Sequence, residues 1–168
     1  MKKIILAVAL LGMVACQQNK IGYVDTVKIM TDYQEKIDMD AKYKVKADSF
    51  TKKRDSISQA FQIEAQAFQT RAQKLDPNKA QEEYALIQQK SQFIGQQLQQ
   101  EELGIQQSNQ IEMDSIVSKV KEEISAYGKA NSYTYVLGGG DGGAVLYGTE
   151  ADNITELVLN ILNEKYKK

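Results

Sequence analysis

Residues 27–75 decide the fold, and they read VKIMTDYQEKIDMDAKYKVKADSFTKKRDSISQAFQIEAQAFQTRAQKL. This stretch contains no proline and no glycine, and its apolar residues recur every three or four positions, which places them on one face of a helix. Arg54, Glu64 and Arg71 interrupt that face, so it suits contact with one other helix and not with a large core. The apolar residues are Met30, Tyr33, Ile37, Ala47, Phe50, Ile57, Phe61, Phe68, Ala72 and Leu75.

A second helical pattern follows the sequence Asp76-Pro77. Pro77 cannot continue the first helix, but its fixed φ suits the first turn of another, with Asp76 as the N-cap. Gly95 and Gly104 lie inside this second helix, each at a cost of about 1 kcal/mol relative to alanine. We therefore predict a long antiparallel hairpin with its turn at 75–78. The apolar residues of the return helix are Ala80, Tyr84, Ile87, Ile94, Leu98, Ile105, Ile116, Val120, Ile124 and Tyr127.

The two ends of the chain have a different character. Residues 20–24 form a short β-like run before Asp25, a good helix N-cap. Residues 132–137 and 144–148 are strand-like runs on either side of a glycine-rich loop, which predicts a β-hairpin. Asp152 then begins a last amphipathic helix, whose inward residues are Ile154, Leu157, Val158, Ile161 and Leu162. The N-terminal strand must pair somewhere, and this small sheet is the candidate.

Together these patterns predict an α+β chain in which a coiled-coil arm is inserted into a small base. The base comprises residues 17–26 and 132–168, with a small β-sheet and the C-terminal helix. The arm comprises residues 27–131.

The first sixteen residues are predicted to direct export. Lys2 and Lys3 precede about ten apolar residues, which is typical of a secretory signal peptide and too short for a membrane span of about 20 residues. The sequence Met13-Val14-Ala15-Cys16 is similar to a bacterial lipobox, although leucine is usual at Met13. We predict lipidation at Cys16 and membrane anchoring through the attached chains. The alternative is a plain signal peptide with an incidental cysteine.

Composition excludes several classes of chemistry. The chain has no histidine and only one cysteine, so a histidine-dependent nucleophile, a histidine-ligated metal and an intrachain disulfide are ruled out. A phosphate-binding loop needs a Lys and a Ser or Thr after its glycines, but Ala144-Val145-Leu146 follows here. The net charge is −1, which favours no nucleic-acid partner. We expect no catalytic residues, no cofactor and no metal site.

Two further patterns leave alternatives open. Many glutamines line the predicted outer faces of the hairpin, either as ordinary solvated surface or as an uncharged wall that tolerates diverse chains. Thr26, Ser56 and Ser115 each follow an aspartate and precede an aliphatic residue, as do O-glycosylation acceptors in exported Bacteroidetes proteins. Helix capping and ordinary helix surface also explain these three tripeptides.

The order of these elements resembles the Skp (OmpH-like) family of periplasmic chaperones. The residues that carry the resemblance are Lys20-Ile21-Gly22-Tyr23-Val24-Asp25, Tyr133-Thr134-Tyr135-Val136-Leu137, the glycine loop, Ala144-Val145-Leu146-Tyr147-Gly148 and Asp152-Asn153-Ile154-Thr155. The resemblance covers essentially the whole chain after the signal peptide.

This resemblance implies a homotrimer whose bases assemble and whose hairpins surround a cavity. Unfolded outer-membrane β-barrel proteins would be held there without ATP. The pI of 5.6 departs from the strongly basic members of the family, so no lipopolysaccharide site is carried over. The residues expected to build the oligomerisation base are Ile21, Tyr23, Val24, Tyr135, Val136, Leu137, Val145, Leu146, Ile154, Leu157, Val158 and Ile161.

Three other functions remain as rivals. A structural coiled-coil lipoprotein could act as an envelope spacer or scaffold, but it predicts a continuous heptad repeat, which Gly138 to Gly143 interrupt. An efflux-type adaptor would need longer flanking domains than this chain has. An enzyme is the third rival class.

Overall fold

A computed structural model describes residues 19–141 and 143–167. The predicted signal peptide and Cys16 lie outside these residues, so their roles stay predictions. The order of elements is β1 Ile21–Asp25, α1 Thr26–Asp32, α2 Gln34–Ala72, α3 Pro77–Ala130, β2 Tyr135–Gly139, a 3₁₀ turn Glu150–Asp152 and α4 Thr155–Tyr166. Among the described residues, no helix combines the length and the apolar character needed to cross a lipid bilayer.

The described chain forms two compact units. Of the described residues, the base unit contains 19–36, 117–141 and 143–167, and the hairpin unit contains 37–116. Helices α2 and α3 each contribute residues to both units.

The hairpin unit consists of two antiparallel helices, as predicted. Lys42 pairs with Glu112, whereas Arg71 pairs with Glu83. Residue numbers rise along α2 as those of their partners fall along α3, which shows that the helices are antiparallel. Between the helices lies a thin seam, in which the Tyr43 hydroxyl lies 2.6 Å from the Ser108 hydroxyl. The buried seam residues are Met39, Tyr43, Phe50, Phe68 and Ile116.

The turn of the hairpin confirms the prediction made from Asp76 and Pro77. Pro77 is the first residue of α3, and the Asp76 carboxylate accepts a hydrogen bond of 2.9 Å from the Asn78 N–H. Helix α2 ends at Ala72, three residues before the predicted end at Leu75.

The first helix is interrupted at Tyr33, which the sequence pattern did not predict. Asp25 caps α1 as expected, since its carboxylate accepts from the Lys28 N–H at 2.9 Å. Tyr33 then adopts an extended conformation with φ −70° and ψ 118°, and its side chain is buried. The Gln34 N–H donates to the Asn163 side chain at 2.8 Å, so contact with α4 stabilises the interruption.

This break changes the phase of the next helix. Ile37, which was predicted to face inward, is exposed, and Met39 and Tyr43 occupy the seam instead. A helix that restarts at Gln34 does not continue the rotation of α1, so the single stripe drawn across residues 27–75 was wrong at this point.

Strands β1 and β2 pair in parallel, with Ile21 opposite Tyr135 and Asp25 opposite Gly139. This confirms that the N-terminal strand joins the C-terminal region. The predicted β-hairpin is wrong, because within residues 144–148 only Val145 makes a strand-like contact, a single bridge to Gly139. Gly140 has a φ of +83°, and its carbonyl accepts from the Gly143 N–H at 2.9 Å, which makes a tight turn in place of a long strand ladder.

The start of α4 corrects a second prediction. The helix begins at Thr155, and Asp152 instead closes the 3₁₀ turn, where its carboxylate accepts from the Thr149 hydroxyl at 2.8 Å. The Asn153 side chain, and not that of Asp152, accepts a hydrogen bond from a backbone N–H in the first turn of α4, that of Thr155, at 3.1 Å.

Thr155 links this helix start to the sheet. Thr155 is buried; its hydroxyl donates to the side-chain amide oxygen Oδ1 of Asn153 at 2.6 Å and accepts from the Asp25 N–H at 2.8 Å. The neighbouring Ile154 N–H donates to the Tyr23 carbonyl at 2.9 Å. The segment therefore lies along the edge of β1 opposite β2.

A dense apolar core lies within the base unit. Leu157 was predicted to face inward but is half exposed, and Leu159 is buried instead. The core residues are Val24, Ile29, Tyr33, Val120, Ile154, Val158, Leu159 and Leu162.

Candidate functional surfaces

The residues predicted to build the oligomerisation base divide into three groups in the structure. Val24, Ile154 and Val158 belong to the core of the base unit, so their side chains stabilise the chain's own fold. Tyr23, Val136, Val145 and Ile161 are half-buried. The exposed members are Ile21, Tyr135, Leu137, Leu146 and Leu157.

The most exposed apolar side chains of the base unit lie on the segment after the glycine loop. Leu146 is 98% exposed, and Tyr147, which the sequence prediction did not include, is 87% exposed. Gly148 packs against the ring of Tyr23, so the segment rests on β1 while these two side chains point to solvent. Beside them lies an open groove of about 500 Å³, lined by Ile21, Leu137 and Val145 among others. Exposed apolar area of this kind marks an interaction surface.

Four ion pairs join α2 and α3 in the hairpin unit. They are Lys42–Glu112 at 2.5 Å, Lys53–Glu101 at 2.6 Å, Glu64–Lys90 at 2.5 Å and Arg71–Glu83 at 3.1 Å. The hydrogen bond from Lys42 is the main reason why the pKa of Glu112 lies below its ordinary value. These side chains are partly exposed, so each pair stabilises the hairpin only modestly.

Five apolar side chains lie beside this row of ion pairs. Val45, Leu86 and Phe93 each come three residues after a member of the row, and Ile63 and Ile111 each come one residue before one. At about 100° per residue, both steps rotate a side chain in the same direction. These five residues are between 61% and 69% exposed.

Residues that are rotated in the opposite direction from the ion-pair row point toward the seam. Tyr43 comes one residue after Lys42, and Ile87 comes three residues before Lys90; the first is buried and the second half-buried. Because the ion pairs join the helices on one side of the seam, all five exposed residues lie on that same side. We call this surface the ion-pair flank.

The ion-pair flank carries apolar side chains at two levels of the hairpin, and we call each such group a cluster. Lys42 lies opposite Glu112, which brings Val45 and Ile111 to nearly the same level. Lys90 lies opposite Glu64, which does the same for Ile63 and Phe93, and Leu86 lies two turns from Phe93 toward the hairpin turn. The clusters are 18 residues apart on both helices (63 − 45 and 111 − 93), or about 27 Å at 1.5 Å per residue.

The sequence prediction missed this flank because only the inward stripe was followed. The 18-residue repeat of large apolar residues, five turns on each helix, was the available signal. The predicted glutamine-rich surface is exposed throughout. Its members are Gln59, Gln62, Gln66, Gln69, Gln73, Gln88, Gln89, Gln92, Gln96, Gln97, Gln99, Gln100, Gln106, Gln107 and Gln110.

A polar cluster in the base unit joins α2 to α3. Glu35 accepts hydrogen bonds from the Tyr33 hydroxyl and from Lys119, both at 2.5 Å. Burial raises the pKa of Glu35, but the hydrogen bonds from Lys119 and Tyr33 and the charge of Lys119 outweigh it, so the pKa lies below its ordinary value. Burial and the bond to Glu35 raise the pKa of Tyr33. Each group has a structural partner, so the cluster fastens two helices.

Acidic side chains do not converge on a metal-binding arrangement within residues 19–141 and 143–167. The paired acids Glu82-Glu83 and Glu101-Glu102 illustrate why. In each pair one carboxylate takes part in the ion-pair row, and the adjacent residue points about 100° away on the helix.

Comparison with known proteins places the chain in a family. No curated protein matches the sequence. The crystal structure of a candidate outer membrane chaperone (OmpH-like) from Caulobacter crescentus is similar to this fold, with a TM-score of 0.78, 14% sequence identity, and coverage of 90% of this chain and 88% of that one. The model of the family described as outer membrane protein (OmpH-like) matches residues 20–162. The chain therefore belongs to the OmpH-like outer membrane protein family, as its resemblance predicted.

Proposed function

We propose that this protein is an ATP-independent holdase chaperone of the periplasm that binds unfolded outer-membrane β-barrel proteins. The family match over residues 20–162 carries the proposal and supports a chaperone role at the level of the family. Unfolded β-barrel segments expose alternating apolar residues and aggregate in water. A hairpin with a thin seam and exposed apolar residues offers many weak contacts to such chains and releases them readily.

We further propose that three copies assemble through their base units and that the hairpins enclose a cavity. The support is that Leu146, Tyr147 and Tyr135 are 98%, 87% and 59% exposed, and neighbouring apolar side chains exposed in this way mark interaction surfaces. Burying it between copies would stabilise a chain whose hairpin has little core of its own.

Light scattering tests the chaperone activity. The protein without its signal peptide and Cys16 is mixed, in molar excess, with a β-barrel protein diluted from urea, in buffer without ATP. We expect scattering to be suppressed. Unchanged aggregation would refute the holdase proposal.

Sedimentation tests the assembly separately. We expect a trimer for the wild type at micromolar concentration, and dissociation when Leu146→Ser and Tyr147→Ser are combined. The matched control is Leu103→Ser, an exposed apolar residue of the hairpin unit, which should leave the assembly intact. A monomeric wild type would contradict the proposal.

Cys16 is proposed as the site of a lipid anchor. Membrane fractionation of cells that express Cys16→Ser tests this, and we expect the variant to leave the membrane fraction. Unchanged membrane association would show that the anchor does not exist.

A further inference from the structure

We propose that the ion-pair flank is the client-contacting side of the hairpin and that it binds extended, uncharged segments at two points. This inference rests on the proposed holdase function and assigns it to one surface. The five apolar side chains of the flank are Val45, Ile63, Leu86, Phe93 and Ile111.

The asymmetry of the hairpin carries the assignment. Every large apolar residue of the hairpin unit that is more than 60% exposed lies on the ion-pair flank. Tyr84 follows Glu83 and therefore points toward the seam; it is 53% exposed, but its ring stacks on Phe68 with the centroids 6.3 Å apart, so it already has a partner. Ile37 and Leu103, which do not belong to the flank, are only 43% and 47% exposed, so the most exposed large apolar side chains are confined to one side.

The size and division of the flank argue against a second folded partner. A stable protein interface needs about 1,000 Å² or more of contiguous, well-packed surface. Each cluster here has only two or three apolar side chains, and about 27 Å of polar surface lies between them. Such a surface fits weak contacts with a flexible chain better than docking of a second copy.

The spacing of the clusters fits an extended chain. At about 3.4 Å per residue, roughly eight residues of a strand span 27 Å. Eight is an even number, so the residues at both ends of that span point to the same side of the strand. A segment with alternating apolar residues, as in a membrane-spanning β-strand, can therefore contact both clusters without a turn.

The surface between the clusters has a small net charge, about +1, because the charges of Lys53 and Glu101 offset each other and Lys52 adds one positive charge. Beside the central ion pair, Lys53–Glu101, the flank carries Lys52, Ser56, Gln100 and Gly104. Gln100 can both donate and accept hydrogen bonds, so it can pair with either backbone group of an unfolded chain. Apolar and neutral contacts are screened little by salt, so we expect holding to persist at high ionic strength.

Site-specific photocrosslinking tests the assignment directly. A photoreactive amino acid replaces Ile63, Phe93 or Ile111 in separate variants and is activated with a urea-diluted β-barrel protein present. Matched control positions are Gln62, Gln99 and Gln106, which are also exposed and each follow a seam residue, so they point to the opposite side. We expect at least fivefold more client adduct from the flank positions.

A combined variant provides the functional readout. Val45→Gln, Ile63→Gln, Phe93→Gln and Ile111→Gln together replace exposed side chains with a good helix former, so the helical circular dichroism should be kept. We expect at least a fivefold loss of client holding, whereas Leu103→Gln should hold clients as the wild type does.

The outcomes separate the two proposals. If the wild type suppresses aggregation but both sides crosslink equally, or the combined variant holds clients normally, the flank assignment is wrong and the holdase function stands. If the flank positions crosslink only to other copies of this chain, the surface is an assembly interface and the assignment is again wrong. If the wild type does not suppress aggregation, both proposals fail.

Discussion

The base unit and the hairpin unit use apolar residues in opposite ways. In the base, Ile29, Ile154 and Val158 have at most 1% of their surface exposed, and the buried polar group Thr155 has its hydrogen bonds satisfied. In the hairpin, the seam is one side chain wide, and some of the largest apolar residues lie in solvent. One chain thus combines a region built for a single conformation with a region that keeps apolar surface available.

The largest expected effect is the loss of stability when a buried isoleucine of the base is replaced, compared with the same replacement in the hairpin. Ile29→Ala should destabilise the protein by about 2–5 kcal/mol, because Ile29 is fully buried and its loss leaves a cavity. Ile94→Ala in the hairpin seam should cost only about 1–2 kcal/mol, because Ile94 is half-buried and solvent can fill the space. Urea unfolding followed by circular dichroism measures both. Equal losses would mean that the two regions are packed alike.

The polar link between β1 and α4 provides the next test. Thr155→Val keeps the shape of the side chain but removes the acceptor of the Asp25 N–H, so it should cost about 1–3 kcal/mol. Thr155→Ser keeps the hydroxyl and should lose less. The same urea titration distinguishes them, and a serine variant as unstable as the valine variant would assign the effect to packing.

Glu35 should make the base sensitive to acid. Its folded pKa lies below the ordinary value of 4.5, so its contribution to stability is present above that pH and is lost as the pH falls through the folded pKa. Glu35→Gln should therefore destabilise the protein by about 1 kcal/mol at pH 7. At pH 3 the difference from the wild type should shrink. Urea midpoints at the two pH values measure this, and a difference that does not shrink would rule out the carboxylate charge as the cause.

The smallest expected effect is a gain in the hairpin. An added methyl group at Gly95 or Gly104 would meet no atom within 4 Å, so Gly95→Ala and Gly104→Ala should each stabilise the helix by up to about 1 kcal/mol. Gly104 lies on the ion-pair flank, and Gly95 lies on the other side. Thermal unfolding should show both gains. A loss of thermal stability at either position would indicate that this glycine contacts another molecule.

Local signals in the sequence were sufficient for several elements. The N-cap at Asp25 and the turn at Asp76-Pro77 depend on neighbouring backbone groups and on the geometry of proline, so they were predicted correctly. The two long helices followed from periodicity alone.

Elements that depend on distant contacts were not predictable in this way. The break at Tyr33 requires burial in the base and the hydrogen bond from Gln34 to Asn163, which is 129 residues away. The residues 144–148 have strand composition, but a tight turn at Gly140 and the packing of Gly148 on Tyr23 leave them with one bridge. Thr155 begins α4 because Asp25 and Asn153 bind it.

The parallel pairing of β1 with β2 has a consequence for how the protein forms and changes. The strands are separated by 109 residues (26–134), and closing a free loop of that length costs on the order of 4 kcal/mol in entropy. As α2 and α3 pair from the hairpin turn onward, each added helical turn brings the two strands closer together. The entropy of closing the loop is therefore lost in many small steps. Matched insertions or deletions in both helices would leave the pairing of the strands untouched. The length of the hairpin is therefore free to vary during evolution while the base keeps its structure.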